Sequence, residues 1–532
     1  MQGNKIYKRL GTAILLIMII LYSAFLFYKV DIFPNVFLDE GNCMYDSWCM
    51  AFYGVDSNLL KNPVYLPGYL GQGQSILYPL IAGFSMKIFG YNLLAYRLPL
   101  LLISILNYIL LIVLVKYRFG IKYALFSALV VGTSPYVLTV SRWGMDCNVA
   151  PFVASIGMIV LYYAYTMKSS KWRQVVMAAG AILLGFVTYS YNVGWIFLPL
   201  YLLILLFWLL KTRRLIVKDI ILPAILIFII EIPIMIFAIR SNISQLNTDM
   251  SILWWTSPSL LVGRVKESFI SFDGNIFENI GHNLIEGLSM FLNGTDQLSW
   301  NSVGNIGPYY MFVCPFFIMG FITMIRRRRD QDIFVLSALF AMIPIMMIVT
   351  PNYNHWIFLH FPVLITIVIG ICSVLESFSK QQNRCIFLFS IIGTYALFSA
   401  WFSYEYFHLN RFTGWETSAV PVVQSLDTKK YDRVYFDSDN GDFLYFIRFC
   451  LPISPYEYQK TRDNPYSKTL LGTTKHYDNF EKIVGEEKSL KSNSLIILEK
   501  YKNESYGELL NKLEPISSFT FSSQQYDVYR LN

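Results

Sequence analysis

RLPLLLISILNYILLIVLVKYRFGIK, residues 97–122, decides the architecture. After Arg97 no charged side chain appears until Lys116, and then Lys116, Arg118 and Lys122 arrive together. A helix that crosses a bilayer needs about 20 mostly apolar residues. Residues 97–115 form such a run, and the cations behind it mark the side on which it ends.

Working outward, the same pattern recurs at 11–29, 122–140, 148–167, 174–191, 194–210, 220–239, 307–325, 333–350, 356–375 and 385–403. The first run follows Lys5, Lys8 and Arg9 and lacks a small-residue cleavage site, so it reads as a retained anchor. Further basic clusters fall at Lys168, Lys171 and Arg173; at Lys211, Arg213, Arg214 and Lys218; at Arg326–Arg329; and at Lys380 with Arg384. If all eleven runs cross, every cluster lies on the N-terminal side. The excess of cations on cytoplasmic loops then predicts a cytoplasmic N-terminus and an extracytoplasmic C-terminal segment. Residues 76–89 are apolar but short and hold Pro79 and Lys87, so parity predicts an interfacial or re-entrant helix there.

Composition agrees. The 532 residues are 55% hydrophobic and only 15% charged, where a soluble domain carries about a quarter. The net charge of +8 sits in the gaps between runs, a topology signal that needs no nucleic-acid partner. Seven cysteines form no CxxC pair, which argues against structural zinc, and only Cys43 and Cys49 are near enough in sequence to suggest a disulfide.

Two outer loops are long, about 30–96 and 241–306. From 404 onward Asp, Lys, Tyr and Asn return and no spanning run remains. There RVYF (433–436), SLIIL (494–498), SFTF (518–521) and YDVYRL (526–531) read as strands, with helices over 440–449 and 504–513. The expectation is a membrane module, 1–403, and a small extracytoplasmic α/β domain, 404–532.

The first loop contains FPNVFLDEGNCMYDSWCMAFYGVD, with adjacent Asp39 and Glu40 shortly after the first span. One reading makes a carboxylate there a general base on an acceptor hydroxyl. The other places both acids at the start of an interfacial helix, where they are favoured. The residues alone leave both open. In VSRWGMDCN, Arg142 and Asp146 offer a phosphate contact and an acceptor guide, or an arginine that snorkels beside a turn. Glu231 lies mid-span beside Pro233, a costly position for a carboxylate, and could serve a polar cavity or bond a neighbouring helix. His355 and His360 read first as interfacial hydrogen-bonding groups. No P-loop, HExxH, GxGxxG or Ser/His/Asp arrangement accompanies them. The short cytoplasmic loops leave no room for a nucleotide-sugar domain, which points to a lipid-carried donor.

The ordered set LDEGNCMYDSW, YGVD, PVYLPGYLGQGQSILYPLIAGFSMKIFG, RLPLLL and SPYVLTVSRWGMDCN resembles the dolichyl-phosphate-mannose protein mannosyltransferase superfamily, to which lipid A aminoarabinose transferases are related. The branch found in Gram-positive bacteria is the nearest in pattern. The resemblance covers residues 30 to about 200. It continues through WNSVGNIGPYY (300–310) and PNYNHWIFLHFP (351–362). It implies an all-α polytopic fold of the GT-C type, with about eleven transmembrane helices plus interfacial helices, in the cell membrane. Asp39 takes the role of base, Glu40 that of its partner and Asp146 that of the second-loop acid. Tyr65, Gln74, Tyr78, Arg97, Arg142 and His355 are the expected substrate-binding residues. Relatives read Lys-Pro-Pro-Leu-Tyr where this chain has Gln74-Ser75-Ile76-Leu77-Tyr78, so the phosphate contact passes to Arg142 or Arg97. The implied partners are a polyprenyl-phosphate-linked sugar and a glycan, lipid or protein acceptor. No cofactor is required by the pattern, and a divalent metal is left open. A transporter or flippase of lipid-linked sugars, or a polysaccharide polymerase, would use a similar cavity, but no internal repeat of the transporter kind is visible.

Overall fold

The computed structural model describes residues 2–532 except 169, 214, 216, 245–247, 262, 264–267, 299–300, 410–413, 462–475, 478–479 and 484–489. Arg214 of the third basic cluster and Trp300 of the 300–310 stretch therefore lie outside the described residues. Contacts divide the chain into two compact units.

The first unit comprises Met1–Tyr28, Arg97–Ile236 and Val265–Arg411 and is helical. Its first helices are α1 (Gln2–Phe27), and, after the other unit's α2 (Leu38–Tyr53) and α3 (Leu77–Phe89), α4 (Leu93–Phe119), α5 (Ile121–Gly132), α6 (Pro135–Val140), α7 (Ala150–Tyr165), α8 (Ser170–Gly185), α9 (Val187–Ser190), α10 (Gly194–Lys211) and α11 (Val217–Ile239). Among the described residues, nine helical stretches are long and apolar enough to cross a membrane, against eleven expected runs. The other two runs are each broken by chain chemistry. In 122–140, α5 ends at Gly132 and α6 begins at Pro135, with the Ser134 hydroxyl accepting from the Val137 amide at 3.5 Å. Proline suits a first helical position and disfavours helix in the residue before it. In 307–325, a 3₁₀ turn at Met311–Val313 precedes a 14-residue helix, Cys314–Arg327, with Pro315 as its second residue.

That helix packs closely on His360–Ser377. A Cβ on Gly320 would sit 2.0 Å from the Thr366 carbonyl oxygen, and one on Gly370 would sit 1.8 Å from that of Phe316. Two glycines facing each other let the backbones touch, as small residues do between membrane helices.

The second unit comprises Lys29–Tyr96, Phe237–Arg264 and Phe412–Asn532. It joins α2 and α3, at 13 residues too short to span, to a hairpin of β1 (Met250–Ile252) with β2 (Trp255–Ser257) and to a six-stranded sheet. The sheet strands are β3 (Arg433–Asp437), β4 (His476–Tyr477), β5 (Phe480–Lys482), β6 (Ser494–Glu499), β7 (Glu514–Phe521) and β8 (Gln524–Leu531), ordered β4-β5-β3-β6-β8-β7. The centre, β5-β3-β6, is parallel, and the flanks are antiparallel. Every residue of β6 is buried, as expected of a strand covered on both faces. Tyr435, Ile496, Leu498 and Leu509 form one core cluster there. The helix Phe443–Cys450 is buried along its whole length and packs on α2.

Candidate functional site

In the second unit, α2 is capped by Phe37 without a side-chain hydrogen bond, and Asp39 and Glu40 fall in its first turn. The positive end of the helix favours both charges. Glu40 is fully buried while Asp39 is partly exposed, so only Asp39 of the pair opens towards solvent. The amide nitrogen of Gln74 donates to the Asp39 carbonyl at 3.0 Å, which ties the 66–76 loop to the turn that carries the acids. The Gln74 amide oxygen is buried and meets no hydrogen-bond partner among the described residues. Trp415 closes the other side. It exchanges backbone bonds with Val36 at 3.0 and 2.7 Å, and its ring covers Gly41, where a Cβ would stand 2.3 Å from Cζ3.

One turn further, Arg448 of the Phe443–Cys450 helix donates to the Asn42 side chain. Its guanidinium lies over the rings of Tyr45, Tyr458 and Tyr445, at 4.3, 4.6 and 4.9 Å. Asp46 accepts from the Ser57 amide at 2.8 Å, and Asp56 accepts from the Asn58 and Leu60 amides at 2.9 and 2.7 Å. Both acids are fully buried. Burial, and then the charge of Asp46, push the Asp56 carboxyl up to about 8. The expected ligands Tyr65 and Tyr78 are buried in the same unit. The Tyr65 ring stacks on Phe237 at 4.7 Å, and the Tyr78 hydroxyl donates to the Tyr96 carbonyl at 2.6 Å. Cys43 and Cys49 are buried on α2 and are not joined by a disulfide.

In the first unit, Arg142 is fully buried. It donates to the carbonyls of Phe25, Leu26 and Tyr28 at 2.5, 2.8 and 2.7 Å, and to the Tyr406 hydroxyl at 3.3 Å. These are the carbonyls left over at the end of α1, so the guanidinium closes a helix C-terminus. These bonds hold the guanidinium against main-chain oxygens and the Tyr406 hydroxyl, while the phosphate contact of Arg142 stays an expectation from the sequence. Arg97, also fully buried, lies in the second turn of α4. Asp146 opens the 3₁₀ turn Asp146–Val149 that leads into α7. His355 is fixed by its own turn, through Thr350 Oγ1 at 3.0 Å, the Thr350 carbonyl at 2.8 Å and Asn352. His360 bonds Tyr309 at 2.6 Å and stacks on Tyr136. Glu231 accepts from Thr188 at 3.1 Å, which answers the mid-span carboxylate with a neighbouring helix.

Two apolar cavities open in this unit. One, about 810 Å³ with the open space at its mouth counted, is lined from α4, α7 and the 331–365 segment, and the other, about 950 Å³ on the same count, from α7, α8, α10 and α11. Their walls suit hydrocarbon chains. Among the described residues, no group of three or more His, Cys, Asp or Glu side chains converges as metal ligands would. Arg448, Asp46 and Asp56 are the residues that sequence reasoning did not single out. Asp56 closes the quoted YGVD, whereas Arg448 carries no local signal.

Residues 73–237 match the family described as dolichyl-phosphate-mannose-protein mannosyltransferase. No curated protein matches the chain. Among solved structures, ArnT from Cupriavidus metallidurans bound to undecaprenyl phosphate is similar with a TM-score of 0.57 at 13% identity, over 98% of each chain. AglB, the oligosaccharyltransferase of Archaeoglobus fulgidus, in complex with an inhibitory peptide and a dolichol-phosphate, is similar at 0.51 and 12% identity, over 99% of this chain and 74% of that one. The chain thus has the GT-C type fold of these membrane proteins, and within it residues 73–237 carry the pattern of the dolichyl-phosphate-mannose-protein mannosyltransferase family.

Proposed function

We propose that this chain is an integral membrane glycosyltransferase that moves a sugar from a polyprenyl-phosphate carrier to a hydroxyl-bearing acceptor outside the membrane. The acceptor is a glycan, a lipid or a protein. The observation that carries this reading is the first turn of α2, where a partly exposed Asp39 stands beside a buried Glu40 on a backbone held by Gln74 and Trp415. The fold shared with a protein bound to undecaprenyl phosphate supports the donor class.

In the proposed step, Asp39 takes the acceptor's hydroxyl proton as that oxygen bonds to the anomeric carbon. The anomeric C–O bond to phosphate breaks on the opposite face and the electron pair leaves with the lipid phosphate, inverting the anomeric centre. Arg97 is the candidate to hold the departing phosphate, since Arg142 is turned to carbonyls. Asp146 steers the acceptor. A positioned base contributes roughly 10²–10⁴-fold, so Asp39→Asn lowers transfer by about that factor. Asparagine keeps the shape, and loss of one charge in the first helical turn costs only about 0.3–1 kcal/mol, so folding and insertion persist. The test is transfer from a synthetic polyprenyl-phosphate hexose by the purified protein in detergent. Wild-type transfer by a stably folded Asp39→Asn protein removes Asp39 as the base.

A further inference from the structure

We infer that the apolar cavity among α7, α8, α10 and α11 holds a chain of an anionic phospholipid whose headgroup rests on the basic loops joining these helices. Apart from Tyr165 and Glu231, its described lining side chains are hydrocarbon or thioether, and Glu231 already accepts from Thr188. About 280 Å³ of the cavity is room for the centres of water-sized groups, roughly twenty times what one water needs. From Ile220 to Met235 it follows α11 for about 22 Å, more than the roughly 15 Å that one leaflet contributes to the hydrocarbon core.

The loops at one end supply the sign of the headgroup. Tyr165, Leu209, Leu215 and Ile220 bound the cavity where α7 and α10 finish and α8 and α11 begin. The two connections there are the basic clusters at 168–173 and 211–218. Arg173 donates to Asp219 at 2.6 Å, an ion pair that ties the start of α8 to the start of α11 and so brings the clusters together. With Arg173 engaged, Lys168, Lys171, Lys211, Arg213 and Lys218 remain, all exposed. Trp172, between Lys171 and Arg173, is 63% exposed, as suits a ring at the level of lipid headgroups.

The separation of charge from apolar surface sets the class of ligand. Cations in these loops follow from the positive-inside rule and alone identify nothing. Here they stand at the end of a cavity whose described lining holds no cation. The ligand that fits is apolar over most of its length and anionic at one end. A free sugar or phosphate lacks the apolar length, and a zwitterionic phospholipid lacks the net charge. A polyprenyl phosphate has both. The positive-inside pattern predicts a cytoplasmic side for these loops, whereas the transfer proposed above is external, which favours a resident phospholipid over the donor.

The experiment reads binding and leaves transfer aside, so the cavity and the proposed reaction fail separately. Native mass spectrometry of the purified, delipidated full chain is run with phosphatidylglycerol, phosphatidylcholine and a polyprenyl phosphate. One phosphatidylglycerol should bind per chain, about tenfold tighter than phosphatidylcholine, and more weakly as salt rises. Each cation near an anionic headgroup contributes about fivefold, so Lys211→Gln with Lys218→Gln should weaken phosphatidylglycerol by about twentyfold and leave phosphatidylcholine unchanged. Ala224→Phe fills the cavity and should expel phosphatidylglycerol while every cation stays. Its melting temperature in lipid-free detergent should not fall, which separates a filled cavity from a misfolded chain. Equal binding of the two phospholipids, or a preference that survives both variants, overturns the assignment. Displacement by an equimolar polyprenyl phosphate gives the cavity to the carrier lipid and overturns it as well.

Discussion

At the scale of single residues, the acids of α2 divide by environment. Asp39 faces partly outward, Glu40 is sealed, and Asp56 is sealed beside Asp46. Asp56 titrates near 4 in an unfolded chain and is pushed up to about 8 in the fold, so the folded state holds its proton more tightly. The linkage sign follows. The contribution is fully present below the unfolded value and is lost as pH rises through about 8. Thermal unfolding in detergent should therefore occur at a lower temperature at pH 9 than at pH 6. Asp56→Asn keeps an oxygen for the Asn58 and Leu60 amides and cannot ionise, so it should flatten that difference. An unchanged pH slope in the variant would assign the dependence to other groups. The placement of Asp39 and Glu40 in the first turn of a helix was legible in the sequence because it is local. The carbonyl partners of Arg142 were not, because Phe25, Leu26 and Tyr28 lie more than 110 positions away.

At the scale of elements, the second unit ties α2 to the helix Phe443–Cys450 through Arg448. The strands of the tail were readable from alternation and from the buried run SLIIL, yet nothing in that run announces that a neighbouring helix supports the acid pair. Arg448 sits among three tyrosine rings and beside Asn42, two residues past Glu40. Cation–π contacts of desolvated arginine contribute about 2 kcal/mol. Arg448→Met keeps much of the volume but loses the charge and the bond to Asn42. Transfer should fall at saturating substrate with KM little changed, because the base is displaced while the binding groups of the first unit are untouched. Arg448→Lys keeps the charge without the planar fork and should recover only part of the rate. Transfer and melting temperature both equal to wild type in Arg448→Met would show that α2 is positioned without this helix.

At the scale of the whole molecule, the open question is how many times the chain crosses, and helix length alone does not answer it. Nine described stretches are long enough, while 121–140 and 311–327 are split. At 1.5 Å per residue, α5 and α6 together rise about 27 Å, and the 3₁₀ turn with Cys314–Arg327 also rises about 27 Å, close to the 30 Å of a hydrocarbon core. Each split run is therefore long enough to cross once if its two pieces follow one another through the bilayer. The cations decide between the alternatives. If both split runs cross, the clusters at Lys116–Lys122, Lys168–Arg173, Lys211–Lys218, Arg326–Arg329 and Lys380–Arg384 all share the N-terminal side. If neither crosses, Lys168–Arg173 and Lys211–Lys218 move to the opposite side while Arg326–Arg329 stays, which breaks the positive-inside pattern. Reporter fusions after Lys168, after Arg329 and after Asn532 separate these cases. Cytoplasmic signals from the first two and an external signal from the third are expected. A cytoplasmic Arg329 with an external Lys168 would mean that neither split run crosses, and termini on one side would mean that only one does.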